Sequence, residues 1–79
     1  MVNANINSEG WRQRIVSTPE VLSGKPRIDG TRIPVALILG YLAAGNTHDE
    51  IIKEFPDLTA ADITACLDYA RDYQSAKGV

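Results

Sequence analysis

Lys25, Arg27 and Arg32 fall within residues 24–32, Gly-Lys-Pro-Arg-Ile-Asp-Gly-Thr-Arg, together with two glycines, a proline and an Asp-Gly pair. Cations at that density on a chain forced to turn can hold phosphate oxygens or the carboxylates of a partner protein. The turn backbone then fixes their spread. Gly24, Pro26, Asp29 and Gly30 read as turn-shaping residues. Arg12 and Arg14, close upstream, are further candidates for the same contacts. The plainer alternative is a solvated hairpin that merely carries charge, with Arg32 paired to a nearby acid. Gly24-Lys25 is not a phosphate-binding P-loop, because the upstream glycine, the Ser/Thr after the lysine and the strand-to-helix setting are all absent.

Other reactive residue types are few. His48 falls in the first turn of a helix, where a cationic imidazole would oppose the dipole, and reads as an exposed polar residue. Cys66 shares a face with Ile63 and Ala70 and reads as a small buried apolar group. Tyr69 and Tyr73, one helical turn apart, belong either to the core edge or to a dimer face. One cysteine and one histidine cannot build a standard zinc site, and nothing assembles a nucleophile, a base and an oxyanion site. A non-enzymatic protein without metal or cofactor is expected.

At 79 residues the chain is one domain, short enough that a single core leaves it marginal. A lone cysteine excludes an internal disulfide, so oligomerisation is the remaining route to stability, and a homodimer is expected. No apolar run approaches a membrane span, and residues 1–10 are polar without the apolar core of a signal peptide, so a cytoplasmic protein is expected. The net charge of −2 is unevenly placed: residues 1–33 carry +2 and residues 34–79 carry −4. Such asymmetry bears on partners rather than on fold.

Three segments have to position the charged loop. Residues 1–10 read as a flexible N-terminal arm, 11–33 as a short β and turn element bearing the loop, and 34–79 as a three-helix domain. Alternation over residues 11–17 predicts a short strand with Trp11, Gln13 and Ile15 on one face. Asp29-Gly30 is a hairpin signal with residues 26–28 and 31–33 as tiny arms, Pro26 being confined to an edge or a strand start. Pro34 suits the first position of a helix carrying Val35, Ile38, Leu39 and Leu42, stopped by Gly45. Thr47 with Glu50 forms a capping box for a second helix, bearing Ile51, Ile52 and Phe55 and ended by Pro56. Thr59 with Asp62 caps a third helix, with Ile63, Cys66, Leu67, Ala70 and Tyr73 on one side.

A short helix, a tight turn and a longer helix have the helix-turn-helix outline, in which the second helix enters the DNA major groove. Here that helix spans residues 59–73. Its expected exposed acids, Asp62, Asp68 and Asp72, with Asp57 just before it and only Arg71 in opposition, would be repelled by phosphates. The same outline serves equally well for packing alone.

Residues 19–35, Pro-Glu-Val-Leu-Ser-Gly-Lys-Pro-Arg-Ile-Asp-Gly-Thr-Arg-Ile-Pro-Val, closely resemble the opening signature of the family called domain of unknown function 433. The resemblance continues through Leu-Ala-Ala-Gly at 42–45, the acidic Ile-rich segment 49–56 closed by Phe-Pro, Leu-Thr-x-x-Asp-Ile at 58–63 and Asp-Tyr-Ala at 68–70. It implies a mainly α, homeodomain-like three-helix bundle with a short N-terminal β element, commonly dimeric. It also implies a small bacterial protein often encoded beside a PIN-like nuclease, hence an antitoxin that sequesters that toxin and represses its own operon. Many antitoxins carry a long disordered tail that wraps the toxin. Only residues 74–79 follow the last helix here, so any toxin contact would use the folded surface or the N-terminal arm.

Two functions follow as expectations. In the first, an antitoxin-like module binds a PIN-like toxin. Either an acidic helical face (Asp49, Glu50, Glu54, Asp62, Asp68) meets a basic toxin surface, or the loop cations meet acidic carboxylates. In the second, a DNA-binding regulator uses Lys25, Arg27, Arg32, Arg12 and Arg14 on phosphates. A dimeric scaffold is the third, plainer alternative.

Overall fold

The structure, a computed structural model, describes residues 10–76, with side chains through Tyr73. The N-terminal arm expected over residues 1–10 therefore lies outside the described residues except for Gly10.

Residues 11–17 do not form the predicted strand. Trp11–Gln13 is one turn of 3-10 helix, closed by Arg14 N–H donating to Trp11 O at 2.9 Å, and only Ile15–Val16 is extended as β1. Tertiary contacts override the alternation. Trp11 Nε1 donates to Asp72 Oδ2 at 2.7 Å, and its ring meets that of Tyr69 edge-on with centroids 4.8 Å apart.

β1 pairs antiparallel with β2 (Arg27–Ile28), Ile15 opposite Ile28 and Val16 opposite Arg27. The other edge of β2 is used as well: Ile28 N–H donates to Ile33 O, and Arg27 bridges Pro34. The tiny hairpin is thus present, but its first arm is shared with the N-terminal strand. Thr31 N–H donates to Ile28 O across Asp29-Gly30, and only Gly30 has a positive φ (+81°). A positive φ at the second central residue alone is the pattern of a type II turn.

α1 (Val35–Ala43) begins one residue after the predicted start, with Pro34 as its N-cap. It closes in a Schellman motif, Asn46 N–H donating to Tyr41 O and Gly45 N–H to Leu42 O. α2 (His48–Glu54) opens with the predicted capping box: Glu50 N–H donates to Thr47 Oγ1 at 3.1 Å and Thr47 N–H to Glu50 Oε1 at 2.8 Å. α3 (Ala60–Ala76) opens with the same device, Asp62 N–H donating to Thr59 Oγ1 and Thr59 N–H to Asp62 Oδ2. The protein is a small, mainly α fold of three helices with a two-stranded antiparallel sheet at the N-terminal side.

One core joins the β element to the helices: Ile15, Ile28, Val35, Ile38, Ile51, Leu58, Ile63, Ala65 and Cys66 are all buried. The expected covered stripe of α3 is corrected in its second half, since Leu67 is 44 % and Tyr73 52 % exposed. The stripe follows Asp62, Ile63, Ala65 and Cys66 and ends at the half-buried Tyr69. α3 has 17 residues and outruns the two shorter helices, so its later turns are covered by Trp11 instead.

Burial, aided by the nearby Asp62 carboxylate, pushes the Cys66 thiol from an ordinary 9.0 up to about 12. Burial, with a hydrogen bond to Tyr73 and the charge of Tyr73 adding to it, pushes Tyr69 from 10.0 up to about 12. Both folded values are raised, so both protons are held in the folded state while the unfolded chain releases them. Their stabilisation is complete below about pH 9 and is lost as the pH rises toward 12. Urea midpoints are expected to hold level to pH 9 and to fall above it. Cys66→Ala should start lower and fall less steeply.

Candidate functional site

The loop is built from two turns and a strut. Val21 N–H donates to Thr18 O, after which Leu22, Ser23 and Gly24 all take positive φ (54°, 54° and 83°). Gly24 N–H then donates to Val21 O and Lys25 N–H to Leu22 O, which closes a left-handed turn. Left-handed leucine and serine each cost roughly 1–2 kcal/mol, and such conformations persist only where the surroundings over-determine them. Gly24 takes the same conformation without that cost.

Arg27 is the strut. Its Nη1 donates to Thr31 O and its Nη2 to Thr18 Oγ1, each at 3.2 Å, while Nε is sealed from solvent without a partner. The guanidinium ties the start of the first turn to the end of the second. Thr31 completes the frame, its Oγ1 donating to Ile28 O at 2.7 Å and accepting from Ile33 N–H at 3.0 Å. The expectation that Arg27 offers itself to a partner is corrected, because its donors are directed inward. A planar, forked donor set is what allows one side chain to span two turns.

Lys25 and Arg32 are both exposed. Neither side chain makes a hydrogen bond or ion pair within the described residues, and Arg32 does not pair with a neighbouring acid there. The frame therefore presents two solvent-facing cations suited to carboxylate or phosphate oxygens.

The upstream arginines belong to the N-terminal turn. Arg12 lies over the Trp11 ring at 4.4 Å from its centroid. Arg14 Nη1 donates to Asp62 Oδ1 at 3.1 Å, with about half of its side chain exposed. Asp62, expected on an acidic surface, is only 8 % exposed and serves both Arg14 and Thr59, so it is removed from any partner-facing set. Its position as the acid of a capping box was the signal available for that role, since a carboxylate turned back on its own helix is already engaged.

Of the remaining acids, Asp49 and Glu54 stand exposed on α2, and Glu50, also exposed, has Oε1 turned back on Thr47 N–H, which corrects its place in the expected acidic face. Asp68 is half-buried and paired with Arg71 at 3.4 Å, and Asp72 is half-buried on Trp11. The exposed side chains of α3 therefore include Ala61, Thr64, Leu67 and Arg71, a less acidic face than the sequence suggests. Among the described residues no group of three or more His, Cys, Asp or Glu side chains is placed to hold a metal ion. No helix there is long and apolar enough to cross a membrane.

Arg27→Ala is expected to cost about 2 kcal/mol in urea unfolding, since two charge-assisted hydrogen bonds go. Arg27→Lys should rescue little, because an ammonium cannot fork across both turns. Lys25→Ala and Arg32→Ala should stay within about 0.5 kcal/mol of the parent. Equal losses at all three positions would refute this division of labour. Asp62→Ala should cost about 2 kcal/mol and Asp62→Asn about half of that, because Asn keeps an acceptor for Thr59 N–H but no charge for Arg14.

Comparison with known proteins agrees with this architecture. A solved structure of a DUF433 member protein from Anabaena variabilis ATCC 29413 superposes with a TM-score of 0.73 at 33 % identity, covering 95 % of this chain and 75 % of that one. The uncharacterized protein y4eO of Sinorhizobium fredii (strain NBRC 101917 / NGR234) is 34 % identical over 59 residues, which is 75 % of this chain and 27 % of that protein. This chain thus spans about a quarter of the length of that relative. The model of the family described as protein of unknown function (DUF433) matches residues 15–70, from β1 through the half-buried Tyr69 on α3, and the chain belongs to that family.

Proposed function

We propose that this chain is a non-enzymatic, antitoxin-like binding protein that sequesters a PIN-like nuclease toxin. The observation that carries the reading is the pair of solvent-facing cations, Lys25 and Arg32, on a loop braced by Arg27. Two cations whose backbone is fixed lose less freedom on meeting a carboxylate-rich surface than cations on a mobile tail. The acids of α2 that are not turned back on the helix, Asp49 and Glu54, give the toxin a second surface, one that seeks basic groups. A homodimer is part of the same reading, supported by the exposed Leu37 and Leu67.

Co-expression with the product of the adjacent gene tests it. A complex should survive gel filtration at micromolar concentration, and Lys25→Glu with Arg32→Glu should weaken it by at least about tenfold. Asp49→Lys with Glu54→Lys is the control that reports on the α2 face. Two well-folded proteins that fail to associate would sink the toxin reading.

A DNA-binding role, autoregulatory or independent, is the second reading. It is favoured by the burial of Asp62 and the engagement of Asp68 and Asp72, which lower the acidity of the exposed face of α3. Promoter affinity would then fall steeply with salt, and Arg32→Ala with Lys25→Ala would weaken it on every sequence alike. Salt-insensitive or absent binding would leave the dimeric scaffold.

A further inference from the structure

A cleft of about 320 Å³ opens where the loop meets the helices, lined by Lys25, Pro26, Pro34, Ala36, Leu39 and Tyr69 among others. That volume lies at the small end of ligand pockets. Its walls are built to hold their shape. Both prolines have fixed φ and bring no N–H donor into it, and Val35 N–H donates to Pro26 O behind them at 3.0 Å. Tyr69 is clamped between the edge-on Trp11 and the stacked Tyr73, whose centroid lies 4.6 Å away. Lys25 is the one charged residue of the lining, and no acid faces it there.

We infer that this cleft is the anchor pocket for a partner-protein segment bearing an aromatic or branched apolar side chain next to a carboxylate. The inference rests on the partner-binding reading and supplies the apolar half of it. The apolar group sits between the prolines, Leu39 and the Tyr69 ring, and the carboxylate meets Lys25. Charge complementarity selects this occupant. A purely apolar group leaves the ammonium unused, and a cationic one meets a like charge. A phosphate diester would bring charge without the apolar group that the prolines, Leu39 and the Tyr69 ring are placed to cover.

The test uses the full chain and exploits Trp11, the single tryptophan, whose ring contacts Tyr69. N-acetylphenylalanine is the probe and N-acetylphenylalaninamide its uncharged comparator, each titrated against Trp11 emission. The acid should saturate at about three- to fivefold lower concentration than the amide, the advantage of one exposed charge pair. Lys25→Ala should erase that preference, acid and amide then saturating at the same concentration. Ala36→Glu should reverse it. Position 36 is exposed in the first turn of α1, where a carboxylate is tolerated and favoured, so this variant keeps its fold.

Equal affinity for acid and amide, or a preference that survives Lys25→Ala, overturns the assignment. So does an emission change that tracks protein concentration alone, which would place a second copy of the chain in the cleft. The probe assay involves no toxin, so its failure removes the anchor and leaves the charge-based association to be judged by co-purification.

Discussion

The carboxylate of Asp62 is the constraint on which the rest of the structure depends. One oxygen accepts Thr59 N–H and starts α3, and the other accepts Arg14 and holds the N-terminal segment against that helix. Ile15 follows Arg14 into the core and pairs with Ile28, and Asp29 N–H donates to Arg14 O at 2.8 Å. Ile28 is preceded by Arg27, which braces the two turns of the loop. Of residues 24–32 only Ile28 is buried, so burial alone does not hold this peripheral loop. Directional polar ties at Asp62, Asp72 and Arg27 provide the rest, with Ile15 and Ile28 as the apolar pins between them.

Rigidity of the loop and its strain are two aspects of one arrangement. Leu22 and Ser23 are held left-handed, a conformation that neither residue favours. The Thr18 turn before them and the Arg27 strut across them make the alternative backbones worse. The result fixes the spread of Lys25 and Arg32 and leaves an apolar cleft against α1 and α3. Charge and shape are thus presented together at the loop, while Asp49 and Glu54 stand exposed on α2.

Much of the fold was legible in the sequence, for local reasons. Both capping boxes, the stop at Gly45 and the buried positions Val35, Ile38, Ile51, Ile63 and Cys66 follow from short-range rules that tertiary contacts then reinforce. The Trp11 segment was misread because its alternation resembles a strand, whereas the indole N–H is satisfied by Asp72, 61 positions away. The far half of α3 was misread because periodicity marks a face without showing where the neighbouring helices end. At the site, sequence identified the cationic loop but could not rank its members. Arg27 and Arg32 look alike in one dimension, and only the positions of Thr18 Oγ1 and Thr31 O separate an inward strut from an outward contact. The cleft left no sequence signal, since Pro26, Pro34, Leu39 and Tyr69 are brought together only by the fold.

The central claim is that the 24–32 loop is a fixed platform rather than a charged, fluctuating tether. Backbone ¹⁵N relaxation on the full chain tests it most directly. Amides of residues 24–32 other than Pro26 should show order parameters near about 0.85, matching α1 and α3. Values below about 0.6 across the loop, with the helices still rigid, would contradict the account.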